Sequence, residues 1–238
     1  MSTHMNHIVI CNYEPSARML LDTLEQEYDL EETSIVIFSN MERPADIPSE
    51  FEWQCGDPTK ESSLSKVRMG YAKACIIVGA RTVLPQVADA TTLLTIFTIR
   101  SFIAKHEAYK QRKHDLYIAA EILDSENIVH AKTAGANEVI ESKKIGFSLL
   151  SHAVSQQGSA SILSSIANYN DQSIFIHPLP STQSYPHLFH ELVHDWMINH
   201  QILVIGYQKD GQHYINPPKD CTVDPDMLLI YLAKEPKI

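Results

Sequence analysis

Short β-branched runs alternate with longer stretches of helical periodicity from residue 7 to residue 140, and this alternation restricts the fold more than any other feature of the chain. Strands separated by helix-length segments cannot close as hairpins, so each returns to the sheet by a crossover and pairs in parallel. Residues 7–11 (HIVIC), 34–38 (SIVIF), 51–55, 75–78 (CIIV), 115–121 (DLYIAAE) and 138–140 read as six strands. The run 75–78 is the most apolar, as expected of a central strand covered on both faces. Helices are expected at 16–28, with Ala17, Leu20, Leu21 and Leu24 on one face, and at 60–69, 85–105 and 127–134, the last closed by Gly135. The expected fold class is α/β, a Rossmann-like doubly wound parallel sheet.

Beyond residue 141 the texture changes. Two consecutive helices, 146–157 and 160–169, split at Gly158-Ser159 and read as a helical crossover. A turn rich in Pro and His follows (His177, Pro178, Pro180, Pro186), then an amphipathic helix over 187–198. Strands at 202–207, 213–216 and 227–232, with a turn at Asp210-Gly211, complete a small mixed α/β C-terminal lobe. The expected division is a sheet lobe at 7–141, a crossover helix pair at 142–169 and a C-terminal lobe at 170–238.

Charge narrows the partners. Nineteen Lys and Arg against 29 Asp and Glu give a net charge of −10, which excludes the nucleic-acid backbone as a partner, because phosphate binding needs clustered cations. Surplus carboxylates suit cations instead. No uninterrupted apolar run approaches the roughly 20 residues of a membrane helix, and the polar residues 1–5 do not read as a signal peptide, so a soluble cytoplasmic chain is expected. The four cysteines are scattered without a CxxC pair and read as reduced thiols.

The turn after the first strand decides whether this sheet keeps the usual cofactor. A dinucleotide cradle needs G-x-G-x-x-G, whose glycines allow the tight turn and the close approach of pyrophosphate. Here residues 11–16 are CNYEPS, and all eight glycines of the chain lie beyond residue 55. Glu14 near a helix N-terminus repels phosphate, and Ser39-Asn40 stand where an acidic residue would grip a ribose. P-loop and nucleophile-elbow motifs are also absent, so a non-enzymatic role is expected, with a nucleotide-dependent oxidoreductase as the alternative from fold analogy. His190-Glu191-Leu192-Val193-His194 is a literal H-E-x-x-H, and His200 falls at a third-ligand spacing, but Met197 stands where the longer zinc-protease pattern needs Gly. An exposed amphipathic helix is the expected reading, a zinc hydrolase the lesser alternative.

Open parallel sheets bind ligands beyond the carboxyl ends of their strands. That rim carries Asn12, Tyr13, Asn40, Asp57, Gly79, Arg81 and Glu121, the candidate ligand-binding residues. Arg81 suits a phosphate, Asp57 a ribose or adenine group, and Asp57 with Glu121 part of the oxygen shell of a divalent cation. Two alternatives stand beside this: Glu121 bridging to Arg81 or capping the next helix, and Asp57 as an ordinary turn residue ahead of Pro58.

The strand HIVIC, the turn Gly56-Asp57-Pro58-Thr59, the strand CIIVGA, the stretch 120–127 leading to 134–140, and the late turn 216–220 together resemble the RCK domain, the regulator of K+ conductance. The resemblance spans nearly the whole chain. It implies a Rossmann-like N-lobe, a crossover helix pair through which two copies dimerise, and a C-lobe. It further implies that dimers join in a ring on the cytoplasmic face of the membrane and gate a K+ pore, covalently linked or docked, when Ca2+, another divalent cation or an adenine nucleotide binds. Phe147, Leu150, Val154, Ile162, Leu163 and Ile166 are the residues of the crossover pair expected at the dimer interface. A separately encoded regulatory subunit of the Trk/Ktr type is the neighbouring alternative within the resemblance.

Overall fold

The computed structural model describes residues 5–106, 109, 114–167, 172–179 and 188–236. It divides into two compact units, residues 1–148 and 149–238.

The first unit is built on six parallel strands: β1 (Ile8–Cys11), β2 (Ile35–Ser39), β3 (Glu52–Cys55), β4 (Ala74–Ile77), β5 (Tyr117–Glu121) and β6 (Glu138–Ile140). Their order in the sheet is β3-β2-β1-β4-β5-β6. The chain winds outward from β1 to β3, crosses back to β4 and continues to the other edge. The direction of winding therefore reverses between β1 and β4, the place where such sheets open a crevice. β1 is buried at every residue, with Val36 and Cys75 flanking Val9 in register.

Because side chains alternate across a strand, the two faces carry two cores. Val9, Cys11, Phe38, Cys75, Ile77 and Ile118 point to one, where they meet Ile96, Ile99 and Phe102 of α3 (Pro85–Lys105) and Ala131 of α4 (Ile128–Ala134). Ile8, Ile10, Ile35 and Ile37 point to the other and pack on Leu21 and Leu24 of α1 (Arg18–Glu27). α3 occupies the expected residues, opened by Pro85 at its first turn. With 21 residues it is long and apolar enough to cross a membrane by length and composition. Uninterrupted runs do not reveal this, because Gln86, Asp89, the threonines and Arg100 break the apolar sequence without making the helix polar overall. Ala88, Ile96, Ile99 and Phe102 are nevertheless buried in this fold.

Two helices differ from expectation. The segment 60–69 is helical only over α2 (Glu61–Leu64) and continues as 3-10 turns at Ser65–Val67 and Met69–Tyr71, because Arg68 between them adopts a left-handed backbone (φ 49°). The crossover helix α5 (Ser142–Ser155) begins four residues before the expected Gly146. Gly146 lies inside it, since one glycine weakens a helix by only about 1 kcal/mol and does not end it. α6 (Ser159–Ala167) follows as expected, its last two expected residues lying outside those described.

The second unit holds an antiparallel sheet of β7 (Ser173–Pro178), β8 (Leu203–Lys209), β9 (Gln212–Ile215) and β10 (Leu228–Ala233), in the order β7-β10-β8-β9. Asp210 and Gly211, both at positive φ, form the two-residue hairpin between β8 and β9. β7 corrects the reading of His177 and Pro178 as a turn. A proline at the end of an edge strand needs no donor for the ladder, so it does not interrupt pairing. Phe189, Leu192 and Trp196 of α7 (Phe189–His200) are buried against this sheet with Val204, Leu229 and Tyr231.

Candidate functional site

β1 ends at Cys11, and the backbone turns through Asn12 at φ 60°. Asn is the residue besides Gly that enters this left-handed region readily, so the tight turn is made without a glycine. Tyr13 is buried, its ring edge-on to Trp53 with centroids 5.8 Å apart, and Ser39 Oγ donates to its carbonyl at 3.1 Å. Burial, followed by the charge of Asp46, raises the Tyr13 hydroxyl above its ordinary value. Its ring thus belongs to the core rather than to an open rim.

The next residue carries the decisive contact. Glu14 is buried, and its carboxylate accepts from Ser16 Oγ at 2.9 Å, from Thr82 Oγ1 at 3.2 Å and from the Arg81 backbone N–H. A dinucleotide places its pyrophosphate on the donors of this turn. Here the Glu14 carboxylate already takes Ser16 Oγ of this turn together with the Arg81 N–H and Thr82 Oγ1 of the loop after β4, and a second anion beside it meets both repulsion and the cost of leaving water.

Glu121, the last residue of β5, gathers the other half of the rim. Its Oε2 accepts the Gly79 N–H at 3.0 Å; its Oε1 accepts the Arg81 guanidinium and the Ser142 hydroxyl. Arg81 Nη2 also reaches Ser142 Oγ at 3.3 Å. Gly79, Arg81 and Glu121 therefore come together, and the expected alternative of a bridge from Glu121 to Arg81 is the arrangement found. A recess of about 250 Å³ adjoins this cluster, lined by Ala17, Leu20, Ile76, Ala119 and Ile140, with Arg81 and Glu121 its charged groups.

The remaining rim residues are dispersed. Asn40 is exposed beyond β2, and Asn12 Nδ2 lies 3.5 Å from Thr95 Oγ1. Asp57 serves its own turn: it accepts Thr59 N at 3.0 Å and Thr59 Oγ1 at 2.6 Å, and pairs with Lys60 Nζ at 3.2 Å. Burial alone would raise its carboxyl, but the Thr59 and Lys60 donors outweigh it and hold the group below its ordinary value. Asp57 follows β3 while Glu121 ends β5, and β2, β1 and β4 lie between those strands. Four inter-strand spacings of about 4.8 Å separate them by roughly 19 Å, so the two carboxylates do not share one cation. The expectation of a joint Asp57 and Glu121 metal site is corrected accordingly.

Three residues of this region escaped sequence reasoning. Ser142 and Thr82 carry no motif. Asp89 is fully buried on α3, where it accepts Leu123 N at 2.9 Å, Asp124 N at 3.0 Å and Asn127 Nδ2 at 2.9 Å, fixing the loop that leaves β5.

In the second unit, His190 Nδ1 lies 2.8 Å from the Lys219 carbonyl oxygen, and His190, Glu191 and His194 are exposed on α7. Among the described residues no group of three or more His, Cys, Asp or Glu is placed to hold a metal ion. Of the crossover residues, Phe147, Leu150 and Val154 are 70%, 65% and 84% exposed on α5. Ile162 and Leu163 are exposed on α6, with Ile166 half-buried.

Comparison with known proteins adds three findings. The family model described as the calcium-activated potassium channel slowpoke-like RCK domain matches residues 3–133, which covers all strands of the first sheet except β6. The calcium-gated potassium channel TvoK of Thermoplasma volcanium is 30% identical over 174 residues, covering 71% of this chain and 46% of the relative; the chain thus spans about half of that protein's length. The human SLO3 gating ring superposes with a TM-score of 0.72 at 16% identity, over 97% of this chain and 44% of that one, a likeness of fold. The family match over residues 3–133, more than half of the chain, carries the assignment: the chain belongs to the slowpoke-like RCK domain family.

Proposed function

We propose that the chain is a non-catalytic regulatory module on the cytoplasmic face of a K+ channel, assembled as dimers within a ring, and that its rim answers to a cation rather than to a dinucleotide. The observation that carries the ligand part is Glu14, a buried carboxylate fixed in the first turn, where its charge opposes a pyrophosphate. Membership in the slowpoke-like RCK family and the identity with calcium-gated TvoK support the channel part and favour Ca2+ as the cation. Among the described residues Glu121 is the rim carboxylate that joins two other elements, so a cation that displaces Arg81 from it changes how they are held.

Assembly is supported by two separate apolar surfaces. A ring of dimers needs two different contacts on each chain, one closing the two-fold and one joining dimers. Phe147, Leu150 and Val154 of α5 supply the first; Leu84, just ahead of α3, and Val87, Leu94 and Phe97, exposed along it, supply the second. Each groups exposed apolar side chains at helical spacing, where a monomer surface carries them singly.

Calorimetric titration with NADH, ATP, ADP and Ca2+ tests the ligand assignment. None of the three nucleotides is expected to give saturable heat, and the saturable heat of Ca2+ is expected to disappear in Glu121→Gln. Tight, stoichiometric NADH binding refutes the reading from Glu14.

A further inference from the structure

Arg81 holds both ends of the rim cluster. Its guanidinium donates to Glu121 Oε1 and to Ser142 Oγ, while its backbone N–H donates to Glu14. Glu121 in turn accepts the Ser142 hydroxyl and the Gly79 N–H. One carboxylate thus ties the loop after β4, the end of β5 and the first residue of α5. The Glu121 side chain is only 14% exposed, so its charge needs a counter-charge close by, and the Arg81 side chain, 37% exposed, is the cation bonded to it. A single nitrogen, Nη2, reaches both the carboxylate and the hydroxyl, so it is the positive charge rather than the guanidinium fork that this place requires.

We propose that Arg81 is a tethered cation: it occupies at Glu121 the position a diffusible cation would take, and so staples the first turn of α5 to the rim without any bound ligand. The staple is built from contacts within the first unit. α5 is the helix that carries Phe147, Leu150 and Val154. An element whose start is held by side-chain bonds of this kind opens locally when they are removed, and amide exchange reads that opening.

The test is hydrogen exchange of the amides of residues 145–148 in the whole chain, with ethylguanidinium as the probe. Arg81→Ala is expected to accelerate exchange there about tenfold, the loss of one charge-assisted pair, and saturating ethylguanidinium is expected to restore protection where the same concentration of NaCl does not. Glu121→Gln is expected to accelerate exchange similarly and to gain nothing from ethylguanidinium, since the acceptor charge is gone. Arg81→Lys, which keeps the charge at this exposed position, is expected to retain most of the protection. Unchanged exchange in Arg81→Ala, or equal restoration of Glu121→Gln, overturns the proposal. Ca2+ has no part in this readout, so failure of the Ca2+ titration leaves the staple standing, and failure of the staple leaves the titration result intact.

Discussion

Replacing Asp89 by alanine is expected to destabilise the first unit by about 3 kcal/mol, the largest effect of any single side chain near the rim. The carboxylate is fully buried and is surrounded by three donors: the backbone N–H groups of Leu123 and Asp124 and the amide of Asn127. Alanine removes the acceptor and leaves those donors in the interior, where each forfeits its hydration without a substitute. The damage is local to the loop that follows Glu121, so the rim is expected to loosen before the sheet does. Asp89→Asn keeps one acceptor oxygen and is expected to lose roughly half as much. Urea unfolding with an unchanged slope reads both values. A loss below about 1 kcal/mol for alanine means that water enters and satisfies the loop.

The second large effect concerns assembly. Leu150→Asp together with Val154→Asp is expected to weaken self-association at least 100-fold, about 2.7 kcal/mol, while leaving helix content unchanged and removing the concentration dependence of the melting temperature. Both side chains are exposed in the single chain, 65% and 84%, so the substitutions remove nothing from its own core. Burying two such residues against a partner contributes about 1.5–3 kcal/mol each, and two carboxylates in that surface must be desolvated without counter-charges. Sedimentation velocity separates the outcomes: a doubly substituted chain that still sediments as the wild type places the dimer contact elsewhere.

Much of this architecture is written in short-range pattern. Most of the six strands follow from short β-branched runs, though β3 (EWQC) has none, and α3 follows from its proline start and apolar length, because each signal sits within the element it creates. Local pattern failed where a residue had two uses. Pro178 reads as a breaker, yet it ends an edge strand whose ladder does not need its donor. Gly146 reads as a helix start, yet it lies within α5. The site was less legible for a different reason. Glu14 meets Arg81 across 67 positions, and Glu121 meets Arg81 across 40 and Ser142 across 21. Only the reversal of strand order between β1 and β4 brings the first turn beside the loop after β4. The sequence alone could flag Glu14 as hostile to phosphate; it could not reveal that the Arg81 and Thr82 donors are spent on it. The pairing of Asp57 with Glu121 failed by the same route, since a list of rim residues carries no distances and the strand order sets about 19 Å between them.

K+ flux reads out whether the proposed module passes a cation signal to a K+ pore and takes no dinucleotide. The chain would be joined to the pore-bearing part of TvoK in place of the segment it matches, and the chimera reconstituted in K+-loaded vesicles. The flux is expected to change on addition of Ca2+, to lose that change in Glu121→Gln, and to be indifferent to NADH, ATP and ADP. A flux that ignores Ca2+ and follows NADH contradicts the proposal.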